Sequence, residues 1–142
     1  GPGEEGAGTI TGIFAVLVEG DDHNEPVADA IRGTLDGHIV LDRATADQGR
    51  YPAVNILTSV SRLANQIWSP EERTLIMRLR SMIARYEETH DLRLMGGYHQ
   101  GTDQELDRAI ELVPRIYEVM KQRPDEPPSQ NAFQEMANAL KG

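Results

Sequence analysis

The stretch SPEERTLIMRLRSMIARYEE, residues 69–88, decides the fold of the second half of the chain. Ser69 and Glu72 have the spacing of a capping box, and Pro70 stands where a helix favours proline as its first residue. Apolar side chains then recur at helical spacing, at Leu75, Ile76, Leu79, Met82, Ile83 and Tyr86. The stretch therefore predicts a long amphipathic helix that begins at Pro70.

The remainder of the second half repeats this helical pattern. A pair of glycines predicts a break after the first helix, and Thr102 with Glu105 predicts a second capping box. Pro114 falls inside the helix that follows and predicts a kink. The proline-rich residues 123–128 predict a linker, and Ser129 predicts the cap of a last helix. This half is predicted to be a helical hairpin followed by a terminal helix.

The first half has α/β character. Residues 9–18 (TITGIFAVLV) are apolar and rich in β-branched side chains, which predicts a strand buried on both faces. Residues 26–37 predict a short amphipathic helix, 38–41 a second buried strand, and 43–48 a helical turn. Residues 51–62 predict an extended segment, because the residue before Pro52 is disfavoured in the α region.

Composition excludes several function classes. The 142 residues include 14 Lys and Arg against 23 Asp and Glu, a net charge of -9. A charge of this sign argues against binding to nucleic acid or to an anionic membrane. Cysteine is absent, which excludes disulfides and makes the cytoplasm the expected location. The longest apolar run, residues 13–18, is far shorter than the ~20 residues of a membrane span.

The residues alone give no support for catalysis or metal binding. The two lysines, Lys121 and Lys141, are not part of a Gly-Lys-Ser/Thr sequence, so the chain contains no P-loop. The four histidines have neither the spacing nor the cysteine partners of a zinc site, so no metal is expected. We find no nucleophile motif around any serine.

Three motifs resemble a known family. They are GTITGIFAVLVEGDDHNEPVADAIRGTLDGHIVLDR at residues 8–43, GRYPAVNILTSVSR at 49–62 and GGYHQGTDQELDRAI at 96–110. Together they resemble the C-terminal part of the catalytic subunits of rotary and secretion ATPases, most closely the flagellar type III secretion ATPases. The resemblance implies an α/β plus all-α fold that is predominantly helical. Residues 1–66 would end a RecA-like P-loop ATPase domain, and 67–142 would form a helical C-terminal domain.

The resemblance also implies roles for individual residues. Arg62 matches the arginine finger that reaches into the neighbouring subunit's nucleotide site, and Tyr51 matches the aromatic residue that stacks on adenine. From the residues alone, a surface arginine at a loop end is the favoured interpretation of Arg62, and Tyr51 is equally a core tyrosine. Asp42 stands where relatives usually have Ser, and Asn55 where many have Asp; neither is expected to carry chemistry.

Two loops match regions that face a central stalk in these relatives. The residues concerned are Asp21 and Asp22 in the first loop, and Gly97, Tyr98, Gly101 and Asp103 at the hairpin tip. An acidic loop that faces a basic coiled coil gains association rate and register from charge complementarity. The alternative for each loop is an ordinary solvated loop.

The implied whole protein is an ATPase for protein export. It would bind ATP and Mg²⁺ through a P-loop lysine and acidic residues upstream of residue 1, so no cofactor and no hydrolysis are expected of the 142 residues alone. It would form a homohexamer around a coiled-coil stalk protein, below the export gate on the cytoplasmic side. The alternatives are a virulence type III secretion ATPase, a rotary ATP synthase subunit and, outside the enzymes, a helical adaptor.

Overall fold

A computed structural model describes residue 8, residues 10–17 and residues 26–141. The chain divides into two compact units, Gly1–Leu35 and Asp36–Gly142. No helix in the described ranges is long and apolar enough to cross a membrane.

The first unit contains helix α1, Pro26–Thr34, close to the helix that the sequence predicts. Residues 10–17 contain neither helix nor strand, and their large apolar side chains are exposed, Leu17 by 99%. The prediction of a buried strand is therefore wrong for these residues, while residues 9 and 18 lie outside the described part. A strand needs hydrogen-bonded neighbours and a covered face, which the described part of this unit does not supply.

The second unit consists mainly of helices. Its elements are β1 (Gly37–His38), α2 (Arg43–Asp47), β2 (Val60–Ser61), α3 (Ala64–Ile67), α4 (Pro70–Glu88), α5 (His90–Leu94), α6 (Gln104–Met120) and α7 (Ala132–Ala139). The turn predicted at residues 43–48 corresponds to α2. The strand predicted at residues 38–41 is shorter and less buried than expected, because Ile39 and Leu41 are 75% and 66% exposed. The two short strands pair antiparallel.

Helix α4 begins as predicted. The Ser69 hydroxyl accepts a hydrogen bond from the Glu72 backbone N–H (3.2 Å), and the Glu72 carboxylate accepts one from the Ser69 backbone N–H (2.8 Å). This reciprocal pair satisfies two donors at the helix start and fixes where α4 begins.

Helices α6 and α7 begin at other residues than predicted. The cap of α6 is Asp103 instead of Thr102, and the cap of α7 is Asn131 instead of Ser129. The Asp103 carboxylate accepts hydrogen bonds from two backbone N–H groups, one of them that of Leu106 at 3.0 Å. One carboxylate oxygen therefore serves two donors of the first turn, and the helix begins one residue later.

The core of the second unit lies between α4 and α6. Its buried members are Leu79, Ile83, Ala109, Leu112, Val113 and Ile116. Helix α6 continues through Pro114, which is exposed, and the kink predicted there stays a prediction. Met136 and Leu140 of the α7 region pack against the same core. The helical hairpin of α4 and α6 thus forms the core of the second unit, with α7 packed against it.

Candidate functional site

Residues 51–62 contain a hydrogen-bonded turn instead of a continuous extended segment. The Asn55 side-chain oxygen accepts hydrogen bonds from the backbone N–H groups of Leu57 (3.1 Å) and Thr58 (3.2 Å). The Asn55 carbonyl accepts two more, from the backbone N–H (3.0 Å) and the hydroxyl (2.6 Å) of Ser59. Asparagine favours such turns because its short side chain bonds the backbone that follows it. The prediction of extended chain is therefore wrong for the middle of this segment.

Backbone hydrogen bonds hold Arg62 directly after this turn. In the pairing of β1 with β2, Gly37 lies opposite Ser61, and the Arg62 N–H donates to the Asp36 carbonyl at 2.8 Å. Glycine is needed at 37, since a Cβ there would lie 2.6 Å from the Val60 carbonyl oxygen. The Arg62 side chain is exposed. The backbone is thus fixed, while the guanidinium lies at the surface of the unit.

Tyr51 lies at the other end of the segment, with its side chain 58% exposed. Its carbonyl accepts a hydrogen bond from the Gln122 backbone N–H at 2.9 Å, and the Tyr51–Pro52 peptide bond is cis. The ring is therefore not a core side chain of this unit. An exposed aromatic ring on a backbone that is tied at both sides is a suitable surface for a planar ligand.

Arg50, the residue before Tyr51, contacts the helical hairpin through its side chain. Its guanidinium lies 3.9 Å from the ring centroid of Tyr117 and 3.7 Å from the Glu87 carboxylate. The Tyr117 hydroxyl donates a hydrogen bond to the same carboxylate. Burial, and then this hydrogen bond, raise the pKa of Tyr117 well above its usual value, so the hydroxyl stays protonated.

Asp42 and Asn55, the two positions that depart from the family pattern, contact each other. The Asn55 amide donates to one Asp42 carboxylate oxygen at 3.3 Å, and the Thr45 hydroxyl donates to the same oxygen at 3.3 Å. The other oxygen caps α2 by accepting from the Ala44 N–H at 3.0 Å. The carboxylate is thus surrounded by donors, and a second acid at position 55 would replace a donor with a negative charge.

We expect Asn55→Asp to destabilise the chain by about 1–3 kcal/mol at pH 7, because two half-buried carboxylates would then face each other. The repulsion raises the pKa of the new acid, so the penalty decreases as the pH falls and that acid is protonated. Urea denaturation at pH 7 and pH 4.5 measures both effects. The double variant Asp42→Ser/Asn55→Asp is the matched control and should recover most of the loss. Equal stability of the single variant and the parent chain would contradict the prediction.

Arg80 of α4 is a site residue that the sequence analysis missed. Its guanidinium donates to the backbone carbonyls of Ile56 (2.6 Å) and Leu57 (2.8 Å), both in the turn that precedes Arg62. The available signal was an arginine within the apolar stripe of a helix, between Ile76 and Ile83. Such a residue needs a partner that keeps its charge hydrogen-bonded.

Side-chain hydrogen bonds order the tip of the hairpin. The Tyr98 hydroxyl and the Gly101 N–H both donate to the Asp107 carboxylate, the second at 2.9 Å. Gly101 has φ +90°, which favours glycine. The Gly97 N–H donates to the Leu92 carbonyl at 2.9 Å. Gly97, Tyr98 and Gly101, which the resemblance assigns to the stalk-facing loop, therefore form one ordered turn.

Asp103 joins this turn to α4. Its carboxylate caps α6 and also pairs with the Arg85 guanidinium. The Leu106 backbone hydrogen bond, and then the Arg85 hydrogen bond, lower the pKa of Asp103. Because the folded pKa lies below the unfolded one, the contribution to stability is complete above the usual aspartate range. It is lost as the pH falls through the lowered pKa of Asp103.

Arg85→Gln is expected to raise the pKa of Asp103 only part of the way to its ordinary value, since the backbone hydrogen bonds of the cap remain. Carbon-detected NMR titration of the side-chain carboxyl measures this directly. Arg115→Gln is the matched control, because Arg115 pairs at 3.6 Å with Glu111 on α6 and does not touch Asp103. An unchanged Asp103 titration in Arg85→Gln would contradict the ion pair.

The remaining predicted site residues, Asp21 and Asp22, lie outside the described residues. Of the others, Tyr51 and Arg62 belong to one segment, and Gly97, Tyr98, Gly101 and Asp103 to the hairpin tip. Within the described ranges, no group of three or more His, Cys, Asp or Glu side chains is arranged to hold a metal ion.

Comparisons with known proteins define the class to which this architecture belongs. Residues 1–61 match the nucleotide-binding domain of the ATP synthase alpha/beta family, and residues 68–141 match the T3SS EscN ATPase C-terminal domain. Together, the two matches define the class: the C-terminal part of a RecA-like ATPase related to the rotary ATP synthases. The second match covers more than half of the chain, which therefore belongs to the T3SS EscN ATPase C-terminal domain family.

Individual relatives agree with this assignment. The chain is 61% identical over 141 residues to the flagellum-specific ATP synthase of Rhizobium meliloti, covering 99% of this chain and 30% of that protein. The assembled ATPase EscN of the enteropathogenic E. coli type III secretion system has a TM-score of 0.82 at 31% identity, covering 88% of this chain and 31% of EscN. EscN in complex with its central stalk EscO has a TM-score of 0.75 at 29% identity, over 81% of this chain and 29% of that one.

Proposed function

We propose that this chain is part of the ATP-hydrolysing motor subunit of a flagellar protein export apparatus. The observation that carries the proposal is 61% identity to a flagellum-specific ATP synthase over 141 residues. The identity to a non-flagellar relative, the SPI-2 type 3 secretion system ATPase of Salmonella typhimurium, is lower, 45% over 126 residues. This difference favours the flagellar function over the virulence alternative, and the two family matches disfavour a helical adaptor without enzymatic ancestry.

In this proposal Arg62 acts on the nucleotide of a neighbouring subunit. Arginine keeps its charge at any physiological pH, and its planar fork binds two phosphate oxygens at once. In nucleotide hydrolysis such a residue stabilises the charge that develops on the transferred phosphoryl group. The hydrogen-bonded backbone and the exposed side chain of Arg62 support this role.

Tyr51 is proposed to stack on the adenine of its own subunit's nucleotide. Its exposed ring and the ties of the flanking backbone, through Arg50 and Gln122, support this role because little conformational freedom is lost on binding. Mg²⁺ would neutralise phosphate charge in the bound nucleotide, and its ligands are proposed to belong to the rest of the parent ATPase. The 142 residues alone are accordingly proposed to be inactive.

The hairpin tip is proposed to contact a coiled-coil stalk at the centre of a homohexamer. The support is structural similarity to EscN both in its assembled form and in complex with its central stalk EscO. The ordered turn of Gly97, Tyr98 and Gly101 presents a defined surface to such a partner. Asp21 and Asp22 are proposed to face the same stalk. The ring would lie at the cytoplasmic side of the export gate.

A chimera tests the proposed function. Residues 1–141 replace the matching region of the Rhizobium meliloti flagellum-specific ATP synthase in a strain that lacks the native protein, and motility and ATP turnover are measured. Restored motility is expected, and the same chimera with Arg62→Ala should remain non-motile. A stable chimera without ATP turnover would overturn the proposal. A second chimera places the same residues in EscN. If only this second chimera is functional, restoring type III secretion, the virulence alternative would be favoured.

A further inference from the structure

We propose that Arg80 is the positioning residue for Arg62. The inference rests on the proposed role of Arg62 and adds a residue that acts on it from the helical hairpin. Arg80 donates to three backbone carbonyls, those of Ile56 (2.6 Å), Leu57 (2.8 Å) and Ser59 (3.4 Å). All three belong to the turn that ends just before β2 and Arg62.

The turn is held from two opposite sides. The Asn55 side chain bonds its N–H groups, while Arg80 bonds its carbonyl groups. Ser59 adds a third tie, because its hydroxyl accepts a hydrogen bond from the Val40 N–H at 3.0 Å. Of these ties, the one through Arg80 connects the turn to α4. Ile56 and Leu57 of the turn also pack against the hairpin core, so the location of the turn depends on this packing together with the Arg80 hydrogen bonds.

A guanidinium is suited to this task and an ammonium is not. Two different terminal nitrogens of Arg80 bond the neighbouring carbonyls of Ile56 and Leu57, which requires a planar fork. Arg80 is half-buried on the core side of α4, between the core residues Leu79 and Ile83. The three carbonyl acceptors of this half-buried side chain leave the fork little freedom to leave the turn.

Displacement of the turn would also displace Arg62, the proposed arginine finger. From Ser59, only two strand residues separate the turn from Arg62, and both are paired with β1. A shift of the turn is therefore transmitted along β2 to the Arg62 backbone. Because an arginine finger must meet phosphate oxygens within a fraction of an ångström, a displaced turn lowers turnover without removing a group that touches ATP.

Hydrogen exchange on the 142-residue chain tests the positioning itself. In Arg80→Ala, the amides of residues 57–62 should exchange at least about tenfold faster, since hydrogen bonds to a charged group are lost, while α6 amides keep their protection. Arg80→Lys should give an intermediate rate. Arg78→Ala, an exposed residue on the same helix, is the matched control and should change nothing. Unchanged exchange at residues 57–62 in Arg80→Ala would overturn the inference.

Mixed hexamers of the parent ATPase test the link to Arg62. Subunits with Arg62→Ala are mixed with subunits that lack the P-loop lysine, so that turnover arises only where the second kind supplies its arginine to the first. Adding Arg80→Ala to the P-loop-deficient subunit should lower kcat at least tenfold with unchanged KM. Adding it to the Arg62→Ala subunit should not lower kcat, whereas a general loss of stability would lower it in both. An equal loss of kcat in both placements would overturn the inference. Absence of turnover in the starting mixture would instead contradict the proposed role of Arg62.

Discussion

Arg62→Ala in the parent ATPase is expected to lower kcat by about 10³- to 10⁵-fold, the range for loss of an arginine finger. In the proposed role the guanidinium stabilises charge that appears only in the transition state, so KM for ATP should change little. Arg62→Lys should recover only a small part of the rate, because an ammonium is a single point charge without the planar fork. Single-turnover and steady-state assays with the purified parent protein measure both constants.

Asn65→Ala is a suitable control, because Asn65 is an exposed residue of α3 three positions beyond Arg62. It should leave kcat within about twofold. Native mass spectrometry must find the same assembly in both variants, so that a lower rate is not the result of dissociation. Turnover of Arg62→Ala near that of the parent would remove the finger assignment.

The helical half of the chain was predictable because its signals are local. The Ser69 and Glu72 side chains bond the backbone three residues away, so the sequence alone contains the whole capping box. The start of α6 was missed by one residue because Thr102 and Asp103 are both good caps. Asp103 has a further contact, because its carboxylate pairs with Arg85, which lies 18 residues away. A sequence pattern contains no information on that contact.

The first half was harder to predict because its elements depend on partners. The apolar pattern of residues 10–17 is that of a strand, but a strand is stable only beside other strands. Residues 55–59 form a turn through Asn55 and through Arg80, whose carbonyl partner at Ile56 is 24 residues away in sequence. The sequence around Pro52 predicted an extended chain because the rule applied there depends only on neighbouring residues and not on distant contacts.

The candidate site residues became visible through resemblance instead of through local chemistry. Nothing about an arginine at 62 or a tyrosine at 51 distinguishes it from other surface residues of the same type. What the structure adds is their support: the pairing of β2, the Arg50 contact and the Arg80 hydrogen bonds. These contacts join the segment to α4 and α6, so the placement of both residues depends on the hairpin core.

Ile116→Ala is expected to destabilise the 142-residue chain by about 2–5 kcal/mol, the range for truncating a buried aliphatic side chain. Ile116 is 0% exposed and belongs to the cluster that joins α6 to Leu79 and Ile83 of α4. The variant leaves a cavity between two helices that are packed along their length, so relaxation recovers little of the loss. Urea denaturation followed by circular dichroism measures the free energy of unfolding.

Val119→Ala is the matched control, since Val119 lies on the same helix and is 39% exposed. Its expected cost is below about 1 kcal/mol, because much of the removed surface is already in contact with water. Fluorescence of Trp68, the single tryptophan, adds a second probe, because its ring contacts Phe133 of α7 edge to face at 5.9 Å. If the hairpin core supports the whole second unit, both probes should report the same shift in Ile116→Ala. A loss equal to that of Val119→Ala, or a fluorescence transition that does not move, would contradict this, since α7 would then be held independently of the core that positions Arg80.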